Sequence, residues 1–260
     1  MSYPLGVKAS TYKLLAEGLA AKGIITVRID KRGMFGSAGA VADANAVTID
    51  DYAVDLHAWV KVIRAKTGAS CVWLLAHSEG SLVALASSRN AGDICGLILM
   101  AAAGQPLGEV LRAQLKANPA NAPVLGQALA AIDALEAGHR VDVSAMHPAL
   151  LPLFSPKIQG FLISTFALDP ARLSADWKKP VLIMQGERDI QVTVSDAERL
   201  KQAAPAAKLV LLPDTNHVLK TVTSPNRAAN MAAYADPNLP LAPGVIDGIA
   251  GFVSAPPEAH

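Results

Sequence analysis

The chain has 260 residues, 52% of them hydrophobic and 17% charged, a balance that supports a sizeable core and excludes a disordered chain. Lys and Arg total 23 against 22 Asp and Glu, a formal net charge of +1, and no basic run is interleaved with aromatics, so nucleic acid is not an expected partner. Mean hydropathy is +0.31, yet the apolar runs Cys71 to Ala76 and Leu97 to Ala103 fall far short of the ~20 residues of a spanning helix, and no membrane span is expected.

In chain order, Tyr12, Leu15, Ala16 and Leu19 recur at helix spacing behind Ser10, a candidate N-cap, and Gly23 ends that helix. Ile24 to Ile29 is β-branched and reads as a strand, followed by a Gly-rich, charged loop from Asp30 to Gly39. Thr48 to Asp51 resembles a capping box, and Ile49, Ala53, Leu56, Val60 and Ile63 mark one face of the helix behind it. Val72 to Ala76 is a strand, Gly80 to Ala91 a helix closed by Gly92, and Ile94 to Ala101 another strand. The two cysteines, Cys71 and Cys95, fall in the apolar runs. Their spacing supports neither a metal nor a disulfide, and they read as small core residues.

This alternation implies parallel strands joined by right-handed crossovers, with helices on both faces. It breaks between Gly104 and Lys179, where a leucine-rich, helical stretch is cut by Pro119, Pro123, Pro148, Pro152 and Pro156. It resumes with a strand from Pro180 to Met184, a helix opened by the box Ser195 to Glu198, a strand from Lys208 to Leu212 and a closing helix from Gly244 to Phe252. The expected organisation is a core of residues 1–104 and 180–260, with residues 105–179 as a helical lid inserted in it.

The segment Val72-Trp73-Leu74-Leu75-Ala76-His77-Ser78-Glu79-Gly80 runs a buried strand into a serine and starts a helix straight after it. That is the context of a nucleophile elbow, with the small residues Ala76 and Gly80 on either side of Ser78. The backbone N–H of Glu79 would then face a developing oxyanion, helped by the helix dipole. An ordinary N-cap serine is the other reading. A serine nucleophile needs a base, and the base needs an orienting carboxylate. Of the six histidines, His217 is the candidate, because its loop follows the last strand and reaches the same sheet edge as Ser78. His77 belongs to the elbow and is taken to point away. Asp189, in the turn after the strand that starts at Pro180, is the candidate acid; Glu187 reads as a surface residue and Asp214 as a turn former. The order Ser, Asp, His is the one expected of α/β-hydrolases.

With Thr11 to Ala16, Val27 to Gly33, Leu75 to Gly80, Val181 to Gly186 with Asp189, and Asn216 to Lys220, the chain resembles the bacterial serine-esterase and serine-aminopeptidase-like branch of the α/β-hydrolase superfamily. The resemblance implies an α/β-hydrolase fold, a catalytic set of Ser78, Asp189 and His217, a helical lid, and hydrolysis of carboxylic esters or related acyl compounds without a cofactor. Small, apolar esters are the favoured substrates, and no metal is expected, because no His, Asp, Glu or Cys cluster has ligand spacing. Phe154, Phe161 and Phe166 of the lid are candidates to line the acyl pocket, or simply pack the lid onto the core.

The resemblance also implies a shortened N-terminus. Relatives begin with about three more strands and a Gly-rich loop that donates the second oxyanion N–H. Ser2 to Gly6 resembles the tail of that loop. The absent strand would lie between Ile24–Ile29 and Val72–Ala76. Three outcomes are open: sideways pairing of Ile25–Ile29 with Val72–Leu75, a strand-completed homodimer, or completion by a longer parent protein. In the first, Gly33 and Gly36 would let the loop from Lys31 to Gly36 approach Ser78, and an N–H of that loop would replace the missing donor. A truncated, weakly active hydrolase-like protein, a thioesterase and an aminopeptidase are the alternatives to an esterase. The N-terminus lacks a signal-peptide pattern, so the chain as given reads as cytoplasmic, with a parent protein's location left open.

Overall fold

The apolar runs become the strands of one parallel sheet. The computed structural model describes residues 7–43 and 46–255, and its four strands lie in the order β1 (Val72–His77), β2 (Ile94–Met100), β3 (Val181–Gly186), β4 (Lys208–Leu212). Side chains alternate across a strand. Leu97 and Leu99 of β2 therefore join one core with Leu74, Ile183 and Leu200, while Ile98 and Met100 join another with Leu182, Met184, Leu19 and Ile249. The helices α2 (Ile49–Thr67), α3 (Glu79–Ala86) and α9 (Val194–Ala203) cover the first face, and α1 (Thr11–Ala21) and α11 (Val245–Ser254) the second, with α10 (Arg227–Ala235) between β4 and α11 in the chain. The parallel sheet with helices on both faces is as the sequence implies.

Local chemistry explains the helix ends. Thr48 N–H donates to Asp51 Oδ2 at 2.9 Å and Asp51 N–H to Thr48 Oγ1 at 3.2 Å, the reciprocal box expected at the start of α2. Ser10 does occupy the N-cap of α1, but with φ 53° and no capping side-chain bond. The box expected at Ser195 to Glu198 lies two residues earlier. Thr193 N–H donates to Asp196 Oδ2 at 3.0 Å, and the buried Asp196 also accepts from Gly104 N–H at 3.1 Å, whereas Glu198 is exposed. The helix expected to reach Ala91 stops at Ala86 and tightens into a 3₁₀ turn, Ser87–Asp93. Between β2 and β3 lie α4 (Leu107–Ala117), α5 (Leu125–Glu136), α6 (Leu151–Phe154), α7 (Gln159–Phe166) and α8 (Pro170–Asp176). They carry an apolar cluster of their own, centred on Ile132, Leu135, Leu150, Phe154 and Leu162.

Two expectations need correction. Residues Ile24 to Ile29 form no strand. Ile25 is 84% exposed and Val27 and Ile29 are exposed as well. A β-branched run becomes a strand only where a neighbour takes up its backbone groups. Here the sheet stops at β1, whose outer edge pairs with nothing among the described residues, so the sideways shift does not occur. Cys71 and Cys95, read as free core residues, form a disulfide, with Cα atoms 5.1 Å apart. Parallel pairing sets Val72 opposite Ile94 and so brings the N-terminal ends of β1 and β2 together. No local spacing reveals that, because a whole helical crossover separates the two residues. Among the described residues, no helix is long and apolar enough to cross a membrane.

The exposure of Ile25 and the burial of Ile98 give opposite expectations. Ile25→Lys should change stability by less than about 0.5 kcal/mol. Ile98→Ala, at 1% exposure, should cost about 2–5 kcal/mol. Urea denaturation of both variants checks the pair; a large loss at Ile25 would mean that the segment is a buried strand after all.

Candidate active site

The site begins where β1 ends. Ser78 has φ 53° and ψ −127°, a conformation that costs a non-glycine residue about 1–3 kcal/mol and persists only when its surroundings hold it. Two backbone bonds do so. Ser78 N–H donates to Met100 O at 2.9 Å, carrying the β1–β2 pairing one residue past the strand, and Ser78 O accepts from Ser81 N–H at 2.9 Å. Glu79 is the first residue of α3, so its N–H has no acceptor within the helix. A Cβ placed on Gly80 would meet no atom within 4 Å, so crowding among the described residues does not demand glycine there.

Asp189 sits in the turn after β3, and its orientation is fixed from several sides. Oδ1 accepts from Gln191 N–H at 2.7 Å and Val192 N–H at 3.0 Å, and Oδ2 accepts from Gln185 Nε2 at 3.3 Å. Oδ2 also lies 2.8 Å from His217 Nδ1, with the Asp189 side chain fully buried and that of His217 nearly so. His217 follows β4 in a loop stitched to the β3 turn. Glu187 N–H donates to Leu212 O at 3.0 Å and Arg188 N–H to Thr215 O at 2.9 Å. Asp214, at φ 49°, shapes the turn, and Arg188 Nε reaches its carboxylate at 3.2 Å. A carboxylate can only accept, so Nδ1 of His217 carries the proton and Nε2 is left as an acceptor. His217 Nε2 lies 3.1 Å from Ser78 Oγ. Ser78, His217 and Asp189, widely separated in sequence, thus form one unbroken hydrogen-bonded line.

The other histidines lie elsewhere, with one exception. His57 Nε2 meets Ser87 O at 3.0 Å, and His147 Nδ1 accepts from Ala149 N–H at 3.2 Å. His139 lies beyond α5, and His260 is outside the described residues. His77, expected to point away from the position a base must occupy, stands with its ring centroid 4.9 Å from that of His217. Its Nε2 is 2.7 Å from the His217 carbonyl oxygen. Burial and the neighbouring His217 lower the pKa of His77 to about 4, so it is neutral near pH 7. The signal for it in the sequence is a histidine directly before the serine, a position from which it cannot serve Ser78 as base.

The loop after residue 30 does not supply a replacement oxyanion donor through its glycines. Gly33 N–H donates to Ser37 O at 2.9 Å and Gly36 N–H to Asp30 Oδ2 at 3.1 Å, so both amides are engaged within the loop. Lys31 reaches the elbow instead. Its Nζ is 2.5 Å from Glu79 Oε1 and 4.8 Å from the centre of the Tyr52 ring. Ser2 to Gly6 lie outside the described residues. Phe154 and Phe166 are buried within the apolar cluster of the helical segment, and Phe161 packs edge-on against Tyr52 at 6.4 Å. All three are thus engaged in packing.

Residues 5–221 match the family model described as "Serine aminopeptidase, S33". The chain belongs to this hydrolase family. It is 28% identical over 213 residues to Esterase EstD of Thermotoga maritima, an alignment covering 80% of this chain and 49% of that protein. The chain therefore spans about half the length of this curated relative. Its fold resembles that of a bromoperoxidase from Bacillus anthracis, with TM-score 0.57, 15% identity and coverage of 98% of this chain and 90% of that one. It also resembles the enol-lactonase of Burkholderia xenovorans, with TM-score 0.51, 23% identity and coverage of 84% and 82%. These likenesses establish the α/β-hydrolase fold.

Two glycines near the site should respond oppositely to alanine. A Cβ on Gly186 would stand 2.2 Å from Thr215 O, a backbone clash that no side-chain rotation relieves, so Gly186→Ala should destabilise by about 1–3 kcal/mol. Gly80→Ala, in the first turn of α3 and with open space around it, should be neutral or stabilising. Denaturant midpoints of the two variants test this.

The state of His77 has a pH consequence of definite sign. Its pKa falls from the ordinary 6.5 to about 4 in the fold. Between these values the unfolded chain binds a proton that the folded one does not, so this contribution lowers stability as pH drops from about 6.5 to 4. His77→Gln should flatten that part of the profile. Denaturation midpoints of both proteins across this range provide the check, and parallel profiles would contradict the assignment.

Proposed function

We propose that the chain is a serine hydrolase of carboxylic esters, with Ser78 as nucleophile, His217 as base and Asp189 as the orienting acid. The observation that carries this reading is the line from Asp189 Oδ2 through His217 to Ser78 Oγ, with contacts of 2.8 and 3.1 Å. Its orientation leaves the Nε2 lone pair facing the hydroxyl. In the proposed reaction Oγ attacks the ester carbonyl carbon while its proton passes to His217 Nε2. The carbonyl electron pair moves onto oxygen, where the Glu79 amide, which has no acceptor within α3, and the N-terminus of that helix stabilise the charge. Collapse breaks the bond to the alcohol, which leaves with the proton from His217. Water, deprotonated by the same nitrogen, then releases the acid. Asp189 stays ionised and stabilises the imidazolium formed in each half.

The helical segment 105–179 is proposed as a lid above this site, and the substrates as small, apolar esters. The name of the Thermotoga relative supports the ester class. An aminopeptidase would need an acidic side chain for the substrate's amino group; of the two candidates Glu79 is paired with Lys31, while Glu187 is exposed in the turn that carries Asp189. A second reading has an observation of its own. The Gly33 and Gly36 amides are engaged within their loop, which leaves Glu79 N–H as the oxyanion donor placed by the elbow among the described residues, and loss of one donor typically lowers the rate by about 10²–10³. The chain as given would then be a weak hydrolase.

Nitrophenyl esters of increasing acyl length should be hydrolysed, with an alkyl fluorophosphonate mapping to Ser78 by mass spectrometry. Ser78→Ala should abolish both. Asp189→Asn and His217→Ala should each lower kcat by about 10⁴ or more, with little further loss when combined, because the three act as a unit. Near-native turnover in Ser78→Ala would overturn the reading. Labelling of Ser78 with very slow turnover would select the weak hydrolase.

A further inference from the structure

His77 touches no substrate-facing atom of the proposed mechanism, yet it bonds to the backbone of the proposed base. We infer that His77 is a positioning residue that fixes the loop of His217 against the strand carrying Ser78, and that Tyr12 selects the tautomer in which it does so. This rests on the reading of Ser78, His217 and Asp189 as the catalytic set.

The hydrogen-bond chemistry leaves one arrangement for a neutral ring. The His217 carbonyl oxygen, 2.7 Å from His77 Nε2, can only accept, so Nε2 carries the proton. Nδ1 is then a lone pair, and the Tyr12 hydroxyl 3.0 Å away donates to it. The chain of donors runs from Tyr12 to His77 to the His217 backbone. Its depressed pKa keeps His77 neutral, so no second positive charge stands beside His217 when that ring becomes an imidazolium.

A second observation points to the same element. Thr11, next to Tyr12 at the start of α1, donates its hydroxyl to Val218 O at 2.9 Å. The first turn of α1 therefore supports two successive carbonyls of this loop, Val218 directly and His217 through His77. The β3 turn holds the loop from its other side, through Arg188 N–H and Thr215 O. The bond from His77 differs because it comes from the residue bonded to Ser78 itself. It ties the strand that carries the nucleophile to the loop of the base, 140 residues further along the chain, and so bears directly on their separation. A displacement of about 1 Å at such a contact can lower the rate on the order of 100-fold.

The test measures kcat and KM of purified variants on a nitrophenyl ester, with circular dichroism to establish folding. His77→Leu removes the donor and should lower kcat about 10- to 100-fold with KM unchanged. His77→Gln places an amide donor near the Nε2 position and should restore most of kcat, while His77→Asn is too short and should not. Tyr12→Phe should give a smaller loss in kcat. Wild-type kcat in folded His77→Asn or His77→Leu would overturn the inference, as would equal defects in the Gln and Asn variants. A readout independent of turnover separates this from failure of the esterase reading. Nitrogen-15 spectra of the imidazoles should show His77 as the Nε2–H tautomer from pH 6 to 8. An Nδ1–H tautomer would overturn the inference whatever esters the protein hydrolyses, whereas the expected tautomer in a protein without hydrolysis would leave this bond standing and remove only the esterase reading.

Discussion

The burial of β2 and β3 between parallel neighbours is the constraint on which the site depends. Parallel strands share a direction, so the turn after β1, the turn after β3 and the loop after β4 all emerge at one edge of the sheet. Ser78, Asp189 and His217 occupy those three segments. The strand register then sets their separation to within a hydrogen bond, and Ser78 N–H continues the register onto Met100 O. The strain at Ser78 is held by the same pairing. Were the packing of Leu97 to Met100 to loosen, the geometry at Ser78 would loosen with it.

Around that frame, the loops have no regular structure of their own and rely on local bonds for rigidity. Asp189 takes two backbone amides on one oxygen and presents the other to His217. The buried Asn216 accepts from Lys220 N–H through its side chain, while its own N–H donates to Lys220 O, closing the turn that carries His217. Such short-range bonds fix the ring without an extended strand beneath it. Sites of this kind keep the reacting groups on loops and their supports on the scaffold.

Much of this was legible in the sequence because the signals were local. Apolar runs marked the four strands, and Thr48 with Asp51 marked the start of α2. The serine between a strand and a helix was visible, as were candidate partners after later strands. Signals that depend on neighbours were not. Ile24 to Ile29 has the composition of a strand, but composition does not reveal whether a partner lies alongside. The cap at Thr193 was misplaced to Ser195 because both segments offer a hydroxyl followed three residues later by a carboxylate, and only the contact of Asp196 with Gly104 decides between them. The placement of His77 is not legible in the sequence, because its bonds run to a carbonyl on a distant loop and to a tyrosine hydroxyl, neither of which a sequence motif displays.

The bond between Cys71 and Cys95 joins β1, the strand that carries the elbow and whose outer edge is unpaired among the described residues, to the central strand beside it. Such a link persists where thiols are oxidised and opens where glutathione and thioredoxin keep them reduced. It thus stands against the cytoplasmic reading of the chain. It also makes the anchoring of the edge strand conditional on its surroundings: in a reducing cytosol β1 would rest on its ladder and packing alone, whereas in a periplasm or outside the cell a covalent cross-link would oppose its fraying. The same sequence would then present a firmer or looser platform beneath Ser78 according to the compartment in which it folds.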